Sequence, residues 1–516
     1  MLPGFRNLPM IDFKDPANAR RMEEALAKVK AQLGRTYPLV IGAREVHEGD
    51  TDVSVNPAQP DQIVGRFVQA TVEQAKEAIG AASAAFETWK RAPVQARVDV
   101  VLRAAEVMRQ RRFELAALLV YEVSKSWPEA DADIAELIDF LEYYAREALR
   151  IAAPQPVVPW PGEQNELRYI PLGVGIVIPP WNFPAAIMGG MTAAAVVTGN
   201  TVVLKPASTS PTIAAWFVDI LRKDAGLPAG VVNFLPGPGS LIGDTLVDDV
   251  RTRFIAFTGS KEVGLRIFER ASKHQPGQKW LKRTVLEMGG KDAIVVDETA
   301  DLDAAADGIV ASAFGFQGQK CSACSRAIIV DAVYDRGLEK VVERTKRLTV
   351  GDPASPTTFM GAVIDAGAHR KISEYIEIGR REGRIVAGGT THDGKGYFIP
   401  PTIVADVKPD ARLAQEEVFG PVLAFIRAAD YDDALDIANN TEFGLTGAVY
   451  TKDPARLARA REDFHVGNLY LNRKCTGALV GVQPFGGFNM SGTDSKAGGP
   501  DYLLLFTQGK SVTLKS

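Results

Sequence analysis

Cys321 and Cys324, in the stretch GQKCSACSR, are the residues most able to carry covalent chemistry. Cys321 fits three descriptions: a nucleophile, one half of a redox or metal-binding pair with Cys324, or a small buried apolar residue. Tetrahedral zinc needs four ligands, whereas the chain has three cysteines and five scattered histidines, so we expect no metal site. So few cysteines also favour a reducing compartment, the cytoplasm.

Polar residues follow three short apolar runs that have the composition of strands. IPPWNFP carries Asn182, TVVLKPAS carries Lys205, and AFTGSKEVG carries Gly259 and Ser260 ahead of a predicted helix. Ligands collect at the carboxyl ends of parallel strands, and a helix that starts after a glycine turn can hold a phosphate. Each feature alone also fits a tight turn or a solvated charge, and the glycine spacing is not the G-x-G-x-x-G dinucleotide fingerprint.

Glu287 ends the apolar run TVLE, just before Gly289 and Gly290, which are expected to leave room around it. A buried carboxylate is costly unless it is paired or used, so Glu287 is either a structural ion-pair member or a general base. Together these residues could run one mechanism: a thiolate attacks a carbonyl carbon, an amide stabilises the oxyanion, and a carboxylate activates water. A nicotinamide cofactor would make the first step oxidative.

The segments that position these residues alternate between β-rich runs and helical patterns. VGIVI, TVVLK, VVNFL and RFIAFTG form one series, and DAIVV, SRAIIV and GNLYLN form a second. Strand, turn and helix in repetition predict an α/β fold with two doubly wound parallel sheets. Apolar spacing predicts helices over residues 72–89, 96–123 and 129–149. The last segment, YLLLFTQGKSVTLKS, alternates like an edge strand that needs a partner.

The N-terminal segment is predicted to be a helical arm in which Asp15 caps, Pro16 starts and Gly34 closes a helix. It has no apolar core behind a basic start, so we expect no signal peptide. The 516 residues are 46% apolar and 24% charged with a net charge of -4, which is typical of soluble globular proteins and excludes a basic nucleic-acid binder. Residues 169–204 carry no charge, but their prolines exclude a continuous membrane span.

Several segments resemble, in chain order, the signature segments of the aldehyde dehydrogenase superfamily: PWNFP, LKPA, FTGS, LEMGGKDA, GQKCSACSR, EEVFGPV and PFGGFNMSG. Within it, AELIDFLEYYA, FHVGNLYLNRKCTGALVGVQPFGG and the long N-terminal arm look like the bacterial pyrroline-5-carboxylate dehydrogenases. The resemblance implies NAD-dependent oxidation of L-glutamate γ-semialdehyde, a small aldehyde, to L-glutamate in proline breakdown. It implies a cysteine thiohemiacetal and a thioester as intermediates.

The resemblance also implies the domain organisation. The arm covers residues 1–36, the NAD-binding domain 37–160 and 180–286, the catalytic domain 287–475, and a small β oligomerisation flap with a substrate-anchor loop 161–179 and 476–516. Because the family's edge strand pairs with a second subunit, a homo-oligomer built on dimers is implied. Proline oxidation falls to a separate proline dehydrogenase, and association with that enzyme stays open.

Carried over position by position, the resemblance assigns roles to individual residues. Cys321 is the nucleophile, Glu287 is the general base, and Asn182 forms an oxyanion hole with the Cys321 backbone N–H, which leaves Cys324 without a required role. The implied cofactor-binding residues are Ile178, Trp181, Lys205, Ser208, Gly239, Gly243, Gly259, Ser260, Glu417 and Phe419. The implied substrate-binding residues are Glu136 at the amino end, Ser322, Gly477 and Ala478 at the carboxylate, Lys320, and the flanking Phe183 and Phe485.

Ser208 bears on the choice of cofactor. In KPAS it stands where many NAD-selective members of the family have a glutamate. A carboxylate there would bind a ribose 2′-OH and repel a 2′-phosphate, whereas a serine can donate to either. No arginine in this segment grips a phosphate, so NAD is expected to be used and NADP tolerated.

Three rival functions remain open from the sequence. The chain could oxidise another small acidic aldehyde such as succinate semialdehyde, or persist as a structural protein with this fold. The presence of Cys321, Glu287 and Asn182 argues against the structural reading. A C-x-x-C thiol oxidoreductase is the third rival, and it would require Cys324 to matter.

Overall fold

The computed structural model describes residues 2–391 and 394–515, so Met1 and Ser516, the ends of the predicted arm and flap, lie outside it. The helices are α1 (Pro16–Lys30), α2 (Val72–Trp89), α3 (Val94–Gln110), α4 (Arg112–Val123), α5 (Trp127–Ala152), α6 (Ala186–Val197), α7 (Pro211–Asp219), α8 (Asp244–Asp248), α9 (Lys261–Ser272), α10 (Leu302–Phe314), α11 (Tyr334–Thr345), α12 (Ala366–Glu382), α13 (Arg412–Gln415), α14 (Tyr431–Asn439) and α15 (Pro454–Asp463). The strands are β1 (Arg35–Tyr37), β2 (Leu39–Ile41), β3 (Arg44–Val46), β4 (Thr51–Asn56), β5 (Gln59–Val68), β6 (Glu163–Pro171), β7 (Val174–Ile178), β8 (Thr201–Leu204), β9 (Val232–Phe234), β10 (Thr252–Thr258), β11 (Arg283–Glu287), β12 (Ala293–Val296), β13 (Arg326–Val330), β14 (Arg384–Ala387), β15 (Thr402–Ala405), β16 (Val422–Ala428), β17 (Phe443–Gly444), β18 (Thr446–Tyr450), β19 (Asn468–Leu471), β20 (Phe488–Asn489) and β21 (Thr507–Lys515).

Two seven-stranded sheets organise the chain. The first has the order β11-β10-β7-β8-β9-β2-β3, and the second has the order β14-β15-β16-β13-β12-β18-β19. The central strands of both run parallel, and antiparallel strands occur only at one edge of each. β8 and β12 are fully buried, as strands covered by helices on both faces should be. The predicted α/β fold with two doubly wound sheets is confirmed.

A two-stranded ribbon stands apart from both sheets. β21 runs antiparallel to β6 along its whole length, with Thr507 opposite Pro171 and Lys515 opposite Glu163. The predicted edge strand starts only at Thr507, because the preceding Tyr502–Phe506 is a short 3-10 turn that buries its rings in the core of the first domain. The flap boundary predicted at residue 179 is corrected as well: β7 is central in the first sheet, so the ribbon ends at Pro171.

The N-terminal helices follow the sequence prediction with two corrections. The pattern over residues 96–123 forms two helices, α3 and α4, because the Arg111 backbone between them leaves the helical region. α1 starts at the Asp15 cap but ends at Lys30, before Gly34. The left-handed backbone of Gly34 turns the chain toward β1 instead, and its N–H donates to the Val64 carbonyl at 3.0 Å.

α5 is the longest of the described helices. Its 26 residues begin after Ser126, and Pro128 occupies the first turn. It packs on α3, α4 and α6, and its buried face carries several acidic side chains. Within the described ranges, none of the helices combines the length and the apolar character needed to cross a bilayer.

The N-terminal cap of α2 is a local feature whose contribution to stability can be tested by mutation. Thr71 Oγ1 accepts from the Gln74 N–H at 3.2 Å, and Gln74 Oε1 accepts from the Thr71 N–H at 2.9 Å, which is a capping box. Thr71→Ala should lower the free energy of unfolding by about 1 kcal/mol, measured by denaturant titration. Thr88→Ala is the control, because Thr88 in the same helix only bonds back to Ala85. Equal losses in both variants would contradict the capping role.

Candidate active site

Four strands of the first sheet deliver predicted site residues to one edge. Ile178 ends β7 and Glu287 ends β11, and the register of β10 between them places both beside its last residues. Lys205 directly follows β8, and Gly259 directly follows β10. These residues all lie at the carboxyl ends of their strands, which is where ligands of open parallel sheets bind.

Cys321 lies in a turn between α10 and β13, held in an unusual backbone conformation. Phe316 and Gln317, just before it, have left-handed backbones with φ of 49° and 58°. The buried Gln317 side chain donates to the Ser124 carbonyl at 3.0 Å and to the Ala362 carbonyl at 2.8 Å. These bonds hold a strained turn in one shape, as is common at functional sites.

The Cys321 thiol is half-buried and electrostatically resistant to ionisation. Burial raises its pKa well above the usual range, and the carboxylates of Asp292, Glu287 and Glu417 raise the pKa further. A hydrogen bond from the Ser322 backbone N–H opposes this rise. The resting thiol is therefore protonated at neutral pH and needs a base before it can attack.

Cys324 does not face the same space. Its side chain is only 1% exposed, and its thiol donates to the Arg326 carbonyl at 3.4 Å. Cys321, Cys324 and Cys475 are all free thiols. The arrangement gives no support to a redox pair with Cys321.

Asn182 lies in the loop after β7 and contacts the turn that carries Cys321. Its side-chain amide is buried and donates to the Gln319 carbonyl at 3.0 Å, which fixes it beside Cys321. An amide nitrogen carries two hydrogens, so one N–H remains for a ligand. This geometry suits a donor aimed at an oxygen on the carbon that Cys321 attacks.

Glu287 is held by a loop that comes from far along the chain. Its carboxylate accepts from the Ser495 hydroxyl at 2.6 Å, the Ser495 N–H at 3.3 Å and the Gly487 N–H at 3.3 Å. Burial raises the pKa of Glu287 to about 7 against these hydrogen bonds. A carboxylate with this pKa can take up a proton near neutral pH, and its partners among the described residues are a hydroxyl and backbone N–H groups rather than a cation.

The room predicted around Glu287 serves other groups. A Cβ on Gly289 would overlap the Glu417 carboxylate, and one on Gly290 would lie 2.5 Å from the Cys321 carbonyl oxygen. Glu287 itself is approached by Gly486, where a Cβ would lie 3.1 Å from its Oε1. Sequence reasoning missed the part played by residues 486–495 because only folding brings them to β11.

Lys205, which is buried, and Glu417, which is half-buried, are charged groups beside the carboxyl ends of the strands. Burial alone lowers the pKa of Lys205 to about 8, so no described carboxylate offsets its charge. The Glu417 carboxylate accepts from the Gly290 N–H at 3.0 Å, and burial raises its pKa. An amine and a carboxylate that do not neutralise each other are suited to a hydroxyl-rich ligand such as a ribose.

The predicted phosphate site lies at the start of α9. Ser260 is the N-cap residue, and its hydroxyl accepts from the Val263 N–H at 3.4 Å. Gly259 is needed there because a Cβ would lie 2.5 Å from the Phe257 ring. Gly239 and Gly243 begin and end one turn of π-helix before α8, where a Cβ on Gly239 would lie 3.9 Å from Lys205 Cε and one on Gly243 would meet nothing within 4 Å. A helix start after a glycine, such as that of α9, is a favourable place for a phosphate.

Ser208 is exposed at the rim of a small cleft. The same cleft is lined by Asp52, Phe67, Gln69 and Gly237. Asp52 was not anticipated, because nothing in the sequence places the β4 strand beside the loop after β8. It puts a carboxylate close to the position where the family's glutamate is absent.

Aromatic rings from three segments of the chain pack against one another in the site. Trp181 meets Phe419 at 5.6 Å and Phe316 at 6.5 Å between ring centroids, and Phe316 meets Phe183 at 6.3 Å, all edge to face. Phe419 has a left-handed backbone with φ of 59°. The buried Lys125 ammonium lies 4.0 Å from the Phe183 ring centroid, which fixes that ring from behind.

α5 contributes one half-buried acid, Glu136, that differs from its neighbours. Its other acids have partners: Glu129 with Lys320, Asp131 with Arg112, Asp133 with Lys125 and Asp139 with Asn7. Glu136 accepts no hydrogen bond from the described residues, and burial, followed by the charge of Asp133, raises its pKa to about 8. Glu136 is half-buried and has no donor to stabilise its charged form, so it is suited to a cationic ligand.

The remaining predicted substrate residues are only partly free. The Gly477 and Ala478 N–H groups donate to no other described backbone group, and Gly477 has a left-handed backbone. Ser322 is buried beside Cys321. Lys320 is already paired with Glu129 at 2.7 Å, so its charge is not free for a ligand. Phe485 is tied by its backbone to Ala497.

Comparison with known proteins places this site in a family. The sequence model of the Aldehyde dehydrogenase family matches residues 46–512. The 1-pyrroline-5-carboxylate dehydrogenase of Geobacillus sp. (strain WCH70) is 59% identical over 513 residues, which are 99% of each chain.

Solved structures point to the same family. A 1-pyrroline-5-carboxylate dehydrogenase from Thermus with bound NAD superposes with a TM-score of 0.98 at 53% identity and covers 100% of both chains. Proline utilization A (PutA) from Bdellovibrio bacteriovorus, inactivated by N-propargylglycine, has a TM-score of 0.97 at 48% identity, over 99% of this chain and 53% of that chain. With a family match over most of its length and relatives this similar from end to end, the chain belongs to the aldehyde dehydrogenase family.

Proposed function

We propose that this protein is an NAD-dependent dehydrogenase that oxidises L-glutamate γ-semialdehyde, the open form of 1-pyrroline-5-carboxylate, to L-glutamate in proline catabolism. Relatives named 1-pyrroline-5-carboxylate dehydrogenase match it from end to end. The observation that carries the choice of substrate is Glu136, a half-buried acid of α5 that accepts no hydrogen bond from the described residues, whereas the other acids on this part of the helix all have partners. An aldehyde with an ammonium group at its far end would supply that partner.

Cys321 is the proposed nucleophile. Its thiol gives its proton to solvent water, the sulfur bonds to the aldehyde carbon, and the carbonyl oxygen becomes an oxyanion. Asn182, fixed by its bond to Gln319, and the Cys321 backbone N–H donate to that oxygen. The carbon then gives up its hydrogen as hydride, and the sulfur holds the acyl group as a thioester.

NAD is the hydride acceptor, and the chain's own residues fit it. Lys205 and Glu417, which form no salt bridge with each other, would bind ribose hydroxyls. Ser260 and the open turn at Gly239 and Gly243 would hold the diphosphate. Ile178, Trp181, Gly259 and Phe419 would shape the pocket for the nicotinamide end.

Glu287 is the proposed base for hydrolysis of the thioester. From Ser495 and Gly487 its carboxylate must turn toward Cys321, where it takes a proton from water as the water oxygen bonds to the acyl carbon. The carbon–sulfur bond then breaks, glutamate leaves, and the thiol is restored. A pKa of about 7 allows Glu287 to accept this proton and to release it to solvent.

The substrate would be held at both ends. Glu136 would receive the ammonium group, and the Gly477 and Ala478 N–H groups with the Ser322 hydroxyl would receive the carboxylate. Phe183 and Phe485 would flank the aliphatic part. Lys320 would influence the substrate only through its positive charge and not by direct contact, because its ammonium is bound to Glu129.

Two assembly features belong to the proposal. The outer edge of β21 pairs with no strand in residues 2–391 and 394–515, which supports a homo-oligomer built on dimers through this strand. The substrate would come from a proline dehydrogenase on a separate chain. This chain covers about half the length of a proline utilization relative, which supports a link between proline oxidation and the proposed oxidation of the aldehyde.

The decisive experiment is the initial rate of NAD reduction with a panel of aldehydes. We expect the highest kcat/KM with pyrroline-5-carboxylate and a much lower value with succinate semialdehyde, which has no ammonium group for Glu136. A preference for succinate semialdehyde would reject the proposed substrate.

Glu287→Gln separates the base from the nucleophile. Because an amide cannot take the proton from water, this variant should reduce one NAD per site in a burst and then stall, with a loss in steady turnover of about 10²- to 10⁴-fold. Cys321→Ala should show neither burst nor turnover. Unchanged turnover in Glu287→Gln would count against the role of Glu287 as the base.

The pH dependence of the native protein tests the same role. We expect kcat to rise with pH through about 7 and then level, because only the carboxylate form of Glu287 acts as a base.

Glu136→Gln tests recognition of the ammonium group. Loss of a charged hydrogen bond should lower kcat/KM for glutamate semialdehyde by about ten- to a hundredfold. Oxidation of succinate semialdehyde should not fall. Glu147→Gln on the same helix is the matched control, since Glu147 pairs with Arg150 at 2.6 Å. An equal loss on both aldehydes would mean that Glu136 supports the fold rather than the substrate.

Ser208→Glu tests the choice of cofactor. We expect NAD to be preferred and NADP tolerated in the native protein. A second carboxylate near Asp52 should depress the use of NADP by about tenfold or more through like-charge repulsion, while NAD is spared. Ser208→Thr, which keeps the hydroxyl, is the control. If the glutamate variant loses both cofactors equally, residue 208 does not face the ribose.

A further inference from the structure

The segment before α1 lies across α5 and is tied to it by two buried aspartates. Asp131 accepts from the Ile11 N–H at 2.9 Å, and Asp139 accepts from the Leu8 N–H at 2.9 Å. Both aspartates are nearly inaccessible to solvent. Glu136 lies between them along the same helix. The N-terminal segment therefore spans the part of α5 that carries the proposed ammonium-binding residue.

Asn7 joins this segment to a second element. Its side-chain amide donates to Asp139 Oδ2 at 3.0 Å and to the Val480 carbonyl at 2.9 Å. Val480 belongs to the substrate-anchor loop, residues 476–481, two positions after Ala478. Both hydrogens of one amide are thus used, one on α5 and one on the loop.

The anchor loop is held partly by its own bonds: the Leu479 N–H donates to the Gln483 side chain at 2.9 Å, and the Gly481 N–H donates to the Gly498 carbonyl at 2.8 Å. Gly477 and Gly481 both have left-handed backbones, with φ of 78° and 75°. Phe5 covers Gly481 so closely that a Cβ there would lie 3.2 Å from its ring, and Phe5 in turn packs edge to face on Tyr143 of α5 at 5.2 Å. The N-terminal segment holds the loop against α5 through a hydrogen bond and through packing.

We propose that Asn7 is a positioning residue for substrate selection. It sets the distance between the carboxylate-binding amides of the anchor loop and Glu136 on α5. This inference rests on the proposed function, in which one substrate is held by both elements. Anchors on separate elements must be held to a fraction of an ångström to discriminate between ligands, and Asn7 is the side chain that bonds to both.

The test compares two aldehydes in Asn7→Ala. Loss of two hydrogen bonds should raise KM for glutamate semialdehyde about tenfold or more. The kinetic constants for propanal, which has no charged group, and KM for NAD should stay within about twofold of native. Asn7→Asp keeps the shape but has no N–H and places a carboxylate against Asp139, so its KM should rise at least as far.

Two further variants complete the design. Asn18→Ala is the matched control: Asn18 lies at the start of α1 after the same segment and donates only to the Asp12 carbonyl, so KM should not change. Asn7→Ser keeps one donor and should give an intermediate KM, which allows the test if Asn7→Ala folds poorly. A native KM in folded Asn7→Ser and Asn7→Asp, or equal losses on propanal and glutamate semialdehyde, would overturn the inference.

The proposed substrate and this inference can fail separately. If the native protein prefers succinate semialdehyde, the proposed substrate is wrong. Asn7→Ala is then assayed with succinate semialdehyde, whose carboxylate still needs the loop amides. A rise in KM with kcat unchanged would support the positioning role, and an unchanged KM would overturn it.

Discussion

Two glycines at the junction of the sheets set how closely the reacting groups can approach one another. Gly289 and Gly290 connect the last strand of the first sheet to the first strand of the second. The space of their missing side chains is filled by the Glu417 carboxylate and the Cys321 carbonyl. Any side chain here would push the nucleophile turn away from β11, and with it the thiol from Glu287. The geometry of the whole site depends on this contact between backbones.

Close packing also makes the site electrostatically demanding. Burial raises the pKa of Glu287, Glu417 and Asp292, and these three charges in turn raise the pKa of Cys321. A site crowded with acids cannot keep all of them ionised, so protons are held on it near neutral pH. This suits a reaction that must first remove a proton from a thiol and later one from water. The same crowding favours a bound ammonium group over an added carboxylate near Glu136.

Much of the fold was readable from the sequence because its signals are local. β7, β8 and β10 were predicted nearly to the residue, since buried parallel strands form continuous apolar runs that end at glycine, proline or a polar residue. Failures arose where tertiary contacts decide. The break at Arg111 has no glycine or proline to mark it, and the 3-10 turn before β21 forms because its rings find a core to fill. A periodic pattern cannot report either.

The same division applies to the site. Cys321, Glu287 and Asn182 could be picked out because reactive residue types stand at strand ends or in an unusual turn. Ser495, Gly487 and Asp52 could not, because each acts only through a neighbour that is remote in sequence. For Glu136, the sequence offered only the resemblance.

What distinguishes Glu136 is a comparison along one helix that only folding makes available. Four other acids of α5 each find a cation or an amide, and each of those partners comes from a different part of the chain. Glu136 is half-buried and has no such partner among the described residues, and burial raises its pKa to about 8, so its charged form is unfavourable until a cation binds. Its neighbour Asp139, which Asn7 links to the anchor loop, shows how the same helix can serve both ends of a ligand. The paired acids fix α5 in place, and under the proposed function Glu136, which has no partner among the described residues, is the acid that meets the substrate.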